Sequence, residues 1–336
     1  MHMADALISP YVGGTMYIAT GATLAYSIKK VQENLDDRKI PMMGVMGAFV
    51  FAAQMINFSI PVTGSSGHIG GGLLLSILLG PYAGFITMAV ILAIQALFFA
   101  DGGLLALGCN IFNLGFYTCF IAYPLIYKKL IKKGYNTKNV FLSTILSVVV
   151  GLQLGAFSVV VETILSGKTE LPFSTFVLLM QPIHLAIGIV EGVITGSIVL
   201  FVYKMKPEIL NEKKETIKTD AVKKLVVIFT LLSLIVGGFV SWFASSNPDG
   251  LEWSIQKITG SEDLKSKGSL YEKLGKFQEK LSLFPDYQFK VDTKNKDLSQ
   301  ERMGTSTSGI VGAVIVFAFA LFIGIIIKAR KKSKTT

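Results

Sequence analysis

Between Ile40 and Ala100 the sequence contains no Asp, Glu, Lys or Arg. Charge is scarce throughout, at 16% of 336 residues against 51% hydrophobic ones, and the mean hydropathy is +0.57. A soluble domain cannot hide that much apolar surface, so the chain is read as a membrane protein. Cysteine is nearly missing: Cys109 and Cys119 fall in one apolar run, too far apart along a helix to pair, and read as small packing residues. There is no Gly-x-x-x-x-Gly-Lys-Ser/Thr stretch, which excludes a P-loop ATPase, and no His-Glu-x-x-His, which removes a metalloprotease. No basic residue precedes Lys29, so the start does not read as a secretory signal and Met1 is expected to be retained. The net charge of +10 comes from Lys and Arg clustered between apolar runs rather than interleaved with aromatics, which argues against a nucleic-acid partner.

What is present is a series of apolar runs near the roughly 20 helical residues needed to cross a bilayer. They are Tyr11 to Ile28, Ile40 to Asn57, Tyr82 to Ala100, Leu104 to Tyr127, Val140 to Val161, Phe173 to Tyr203, Leu225 to Ala244 and Ser308 to Ile327. The stretch Ile69 to Leu79 is too short to span and is stopped by Gly80-Pro81, because Pro lacks an amide donor. It reads as a half-helix shielded inside the bundle. The expected fold is all-α, a polytopic helical bundle of about nine membrane segments. Basic clusters at Lys29 to Lys39, Lys128 to Lys138, Lys204 to Lys224 and Lys328 to Lys334 then share one side. The positive-inside rule makes that side cytoplasmic, with the N-terminus and the 245–307 segment outside and the C-terminus inside a multi-pass cell-membrane protein in contact with lipid. The expected division is a seven-segment module over 1–206, a cytoplasmic linker over 207–224 and a two-segment accessory module over 225–336.

The chemistry concentrates where charge is missing. His68 lies in Gly64-Ser65-Ser66-Gly67-His68-Ile69-Gly70-Gly71-Gly72, and the chain opens Met1-His2. The amine of Met1, the amide nitrogen of His2 and the Nδ1 of its ring can close a five- and a six-membered chelate ring on one ion. One more nitrogen completes a square, and His68 is the candidate. Planar nitrogen sets suit Ni(II) or Cu(II) and can take Co(II), whereas tetrahedral Zn(II) and oxygen-seeking Mg(II) or Ca(II) fit poorly. Binding should weaken in acid, since imidazole and amine must lose protons. The open alternatives are that His2 is chance and that His68 serves only a polar loop. Asp5, the lone acid near the start, could offset the charge of the site or orient an imidazole.

The opening Met1-His2-Met3-Ala4-Asp5-Ala6-Leu7-Ile8-Ser9-Pro10, the block Gly67 to Leu73 with Leu79-Gly80-Pro81, and the block Phe99-Ala100-Asp101-Gly102-Gly103 to Gly108 resemble the cobalt/nickel substrate-capturing subunit of energy-coupling factor transporters. The resemblance covers about Met1 to Lys206. Asn247-Pro248-Asp249-Gly250-Leu251-Glu252 is similar to the signature of that system's small companion subunit, here fused in one chain. The resemblance implies a metal held by the N-terminal amine, the amide and imidazole of residue two, and a later histidine, which map onto Met1, His2 and His68. It implies Ni(II) or Co(II) as cargo rather than cofactor, no bond-making chemistry, and two kinds of partner: an energy-coupling membrane subunit and a pair of ATPases.

Three further residues are candidates for support around the metal: Asp5, Asp101 at an outer boundary where a carboxylate can stay hydrated, and His184. His184 and Glu191 share a helix face two turns apart and read first as a buried polar pair joining helices, and second as support near the metal. The segment 245–307 carries ten basic and ten acidic residues, no histidine and no cysteine. It is expected to cap the metal entrance without supplying ligands, so that its loss would spare equilibrium affinity. The rival functions are a self-sufficient secondary transporter or channel for a divalent transition metal, and an intramembrane hydrolase built on Ser65 or Ser66 with His68. The former would place ionisable groups in several spans, where Glu162 and Glu191 stand nearly alone; the latter needs a nucleophile and base rarely formed by near neighbours.

Overall fold

The computed structural model describes residues 2–33, 39–210, 219–261, 264, 268–290 and 298–332. Met1, which the proposed chelate requires, lies outside them, as do parts of the 207–224 and 245–307 segments. The described chain is almost wholly helical, and five helices have both the length and the hydropathy to cross a membrane. These are α4 (Pro81–Phe98), α5 (Leu107–Ile131), α6 (Thr137–Ser166), α7 (Phe173–Met205) and α11 (Leu298–Lys332). Around them lie α1 (Pro10–Glu33), α2 (Lys39–Gln54), α3 (Gly72–Leu79) and α8 (Thr219–Gly238). The 245–307 segment adds α9 (Gly250–Thr259) and α10 (Ser269–Leu281).

The short helix α3 is buried along its whole length, about 12 Å at 1.5 Å per residue. Gly71 precedes it with φ of 79°, and a Cβ there would lie 2.4 Å from the Val50 side chain. Only glycine meets both demands. At the other end Gly80 breaks the helix and Pro81 opens α4, the first-turn position where a missing N–H costs nothing. The Lys39 ammonium donates to the Leu79 carbonyl at 3.2 Å, putting the end of α3 level with the start of α2.

The expected span Ile40 to Asn57 stops short as a helix. After Gln54 the chain turns into a two-stranded antiparallel ribbon, β1 (Phe58–Ile60) with β2 (Ser65–Gly67), paired Phe58 to Gly67 and Ile60 to Ser65. The apolar run cannot distinguish a helix from a ribbon that carries the same residue types. The ribbon delivers the chain to His68.

The accessory helices pack on the first module rather than beside it. α11 lies along α2, with Phe317 and Val316 against Gly44 and Gly47. The 245–307 segment is joined to the bundle through backbone bonds: Leu283 N–H to Phe98 O at 2.8 Å, Asp286 N–H to Phe99 O at 2.9 Å, Ser245 N–H to Asn57 O at 2.7 Å and Ser66 N–H to Pro248 O at 2.8 Å. The Asp249 carboxylate accepts from Leu251 and Glu252 N–H at 2.7 and 2.9 Å while Glu252 returns to the Asp249 N–H at 2.9 Å. This reciprocal cap starts α9.

A candidate metal centre at the N-terminus

The N-terminal strand is threaded into the bundle by its own main chain. Met3 N–H donates to Asn110 Oδ1 at 2.8 Å, and the Met3 carbonyl accepts from Asn110 Nδ2 at 3.2 Å and from Gly103 N–H at 2.9 Å. Two residues on, Asp5 Oδ1 takes the N–H groups of Leu105 and Ala106 at 2.7 and 3.1 Å. Burial raises the Asp5 carboxyl pKa, and these backbone donors oppose the rise. Gly103 allows the strand to lie so close: a Cβ there would fall 1.9 Å from Asp5 Oδ1. Asp5 therefore acts as a staple for the strand, with its hydrogen bonds directed to main chain rather than to either imidazole.

This threading sets His2 beside His68. The two rings stack with centroids 5.1 Å apart and planes 15° from parallel. His68 Nδ1 lies 3.0 Å from the Ile69 carbonyl; since a carbonyl only accepts, Nδ1 carries the proton and Nε2 the lone pair. Removal of water by the surrounding protein holds the His68 pKa well below its ordinary value, so the ring is neutral at neutral pH, the form that ligates metals. His2 Nδ1 lies 2.8 Å from Asp101 Oδ1, with its side chain 8% exposed, and His2 Nε2 is buried with no hydrogen-bond partner among the described residues. Burial works against the Asp101 carboxylate, but the His2 ring and the Tyr287 hydroxyl beside it keep its pKa well below the usual range.

A chain of hydrogen bonds then links the Asp101 carboxylate to the glycine loop. The Tyr287 hydroxyl donates to Asp101 Oδ2 at 2.6 Å; Gln95 Nε2 reaches the Tyr287 oxygen at 3.3 Å and Gln54 Oε1 at 3.0 Å; Gln54 Nε2 reaches the Gly70 carbonyl at 2.8 Å. From the opposite side Glu191 accepts the Gly70 and Gly71 N–H groups at 2.7 and 2.8 Å. The rings, Asp101, Asp249, Glu252 and Tyr287 face a cavity of about 820 Å³. Burial, with the Asp249 charge next to it, raises the Glu252 carboxyl to about 7. Ala100, which precedes Asp101, and Tyr287 hold left-handed backbone with φ of 55° and 58°. Such conformations cost of order 1 kcal/mol each and persist where surrounding contacts over-determine them.

His184 stands one layer away. Its Nδ1 is 2.7 Å from the Met180 carbonyl, and with His68 and Asp249 it lines a small space of about 10 Å³. His184 and Glu191 find separate partners, and Glu191 serves the glycine loop instead. The sequence reading missed the roles of Glu191, Gln54, Gln95 and Tyr287. Glutamine and glutamate within apolar runs were the available signal, since buried polar groups in a membrane bundle need partners. The 245–307 segment also contributes: Tyr287 enters the hydrogen-bond chain, and Gln278 Nε2 donates to the Ala96 and Gly102 carbonyls at 2.8 and 2.7 Å.

Residues 2–209 match the family described as the cobalt uptake substrate-specific transmembrane region, and residues 223–329 match the PDGLE domain. The chain belongs to this cobalt-uptake family. It is 31% identical to the putative fused nickel transport protein NikMN of Archaeoglobus fulgidus over 96% of this chain and 98% of that one. It is 30% identical to the probable fused nickel transport protein LarMN of Lactiplantibacillus plantarum, covering 77% of this chain and 79% of that one. A crystal structure of a truncated transition metal transporter superposes with a TM-score of 0.54 at 33% identity, over 61% of this chain and 99% of the other. Both parts of the resemblance noted in the sequence are thereby shown, and the family places the helices described above in a multi-pass membrane protein.

Proposed function

We propose that this chain is the substrate-binding membrane component of an energy-coupling factor transporter that takes up Ni(II) or Co(II). One observation carries the reading: an N-terminal strand, stapled through Met3 and Asp5, that sets the His2 ring against the ring of His68. The ligands are the Met1 amine, the His2 amide nitrogen and imidazole, and His68. Asp101 touches the His2 ring directly, and the glycine loop holding His68 is fixed by Glu191. The metal is cargo, and no bond within it is made or broken.

The working unit divides into a metal-binding membrane module over 1–206, a linker over 207–224 and an accessory module over 225–336 whose outer segment closes over the site. The count of about nine segments rests on the apolar runs, and the orientation, with the N-terminus and the 245–307 segment outside and the C-terminus in the cytoplasm, rests on the basic loops. The chain acts with an energy-coupling membrane subunit and a pair of ATPases; it carries no nucleotide-binding loop of its own.

The test compares metal stoichiometry in N-terminally and C-terminally extended protein. An N-terminal extension turns the amine into an amide and breaks the five-membered ring, so nickel loading is lost while all three histidines remain; a C-terminal tag leaves it intact. Equal loading would refute the N-terminal chelate. Uptake that persists without co-expressed ATPases would refute the energy-coupling assignment.

A further inference from the structure

The chelate and the structure make competing claims on one atom. His2 Nδ1 is the ring nitrogen that closes the six-membered chelate ring with the amide, and it is also the nitrogen 2.8 Å from Asp101 Oδ1. An ionised carboxylate only accepts hydrogen bonds, so in this contact Nδ1 bears the proton. It cannot hold that proton and ligate an ion at once. We infer that Asp101 is an exchange partner for the cargo: its carboxylate and the metal take turns on His2 Nδ1, which makes Asp101 a residue that sets how readily the ion is released. The inference rests on the N-terminal chelate described above.

The surroundings are built for such an exchange. Asp101 is held from behind by the Tyr287 hydroxyl at 2.6 Å, and Tyr287 is held by Gln95. The carboxylate therefore waits in place when the ring leaves it. The Asp101 N–H is itself bonded to the Gln95 carbonyl at 3.1 Å. Among the described residues Nε2 of His2 has no hydrogen-bond partner, so none of them holds the ring at its other nitrogen against rotation about the side chain. Protons balance simply. Loading moves the ring proton from Nδ1 to Nε2 through solvent and releases to solvent the amide proton of His2 and one proton of the Met1 ammonium; unloading reverses all three. Because Tyr287 belongs to the outer segment, the accessory module sets the strength of Asp101 as the competing partner.

The experiment compares Asp101→Asn with Asp101→Ala. Both remove the same negative charge, so any loss of attraction for a divalent ion cancels between them. They differ in the acceptor: Asn still offers a carbonyl oxygen to Nδ1–H, whereas Ala offers nothing. Competition for Nδ1 predicts that Ala binds Ni(II) more tightly than Asn by about fivefold, the worth of one net hydrogen bond near 1 kcal/mol, with the difference in a slower off-rate. Damage to a merely structural residue would order them the other way. The reverse order, or equal affinity, overturns the inference. The reverse order would mean that Asp101 orients the ring so that Nε2 takes the metal.

Should either variant fail to fold, wild-type full-length protein labelled at histidine provides the second measurement. A slowly exchanging Nδ1 proton of His2 is expected without metal, and it disappears on adding Ni(II). Its absence before loading, or its persistence afterwards, equally overturns the inference. Failure of the chelate itself reads out separately, as undiminished nickel loading after N-terminal extension, so the two failures are distinguishable.

Discussion

Glu191→Gln keeps the length and both heteroatoms of the side chain while turning one acceptor into a donor. In the native protein each carboxylate oxygen accepts one main-chain N–H, from Gly70 at 2.7 Å and from Gly71 at 2.8 Å, and Glu191 is 0% exposed. A glutamine must therefore aim its own NH₂ at one of these donors, leaving a buried N–H without an acceptor. That costs roughly 1–3 kcal/mol. The cost falls on the loop that presents His68 and starts α3. If it is borne by the binding-competent geometry, Ni(II) affinity drops roughly 5- to 150-fold. Glu191→Ala orphans both donors, roughly 2–6 kcal/mol before any cavity is counted, and should impair folding as well. The assay is calorimetric titration of Ni(II) into detergent-solubilised full-length protein, with thermal melts run in parallel. Wild-type affinity together with a wild-type melting temperature for Glu191→Gln would refute the claim that this carboxylate holds the loop.

His2→Ala and His68→Ala are each expected to abolish high-affinity Ni(II) or Co(II) binding in protein that still inserts and folds; unchanged affinity in either purified variant would remove the shared site. Gly103→Ala places a Cβ 1.9 Å from Asp5 Oδ1, so the N-terminal strand should be expelled and metal stoichiometry should fall, measured by elemental analysis; full loading would show that the strand seats by another route. Deleting 245–307 removes Tyr287, Gln278 and the Asn247 and Pro248 acceptors that hold Ser66. Equilibrium affinity is therefore expected to fall along with uptake, contrary to the expectation for a simple cap. A slower uptake with unchanged affinity in solubilised protein would restore the cap.

The sequence by itself determined the class and allowed the chemistry to be proposed. A charge-free stretch from Ile40 to Ala100 cannot be kept in water, and a half-helix ended by Gly80-Pro81 follows from what those two residues forbid. The pairing of Met1-His2 with His68 could be proposed because chelation by an N-terminus is local covalent geometry, readable from adjacent residues. Three motifs in order pointed to the family. What only the tertiary structure decided is where each buried polar side chain spends its hydrogen bonds. Glu191 looked like a partner for His184 because helix periodicity reports which face a residue shares, not what crosses to meet it. Its partners lie on the glycine loop, 120 and 121 residues away in sequence. Tyr287 lay in a stretch of balanced charge with nothing to mark it, and it joins the candidate site because backbone bonds from Leu283 and Asp286 seat the 245–307 segment on the end of α4. The ring nitrogen that Asp101 occupies is decided likewise, since only the threading of the N-terminal strand past Asn110 and Gly103 brings residues 2 and 101 within 2.8 Å. Periodicity and local chemistry are written along the chain, whereas the satisfaction of buried polar groups depends on contacts between elements far apart in it.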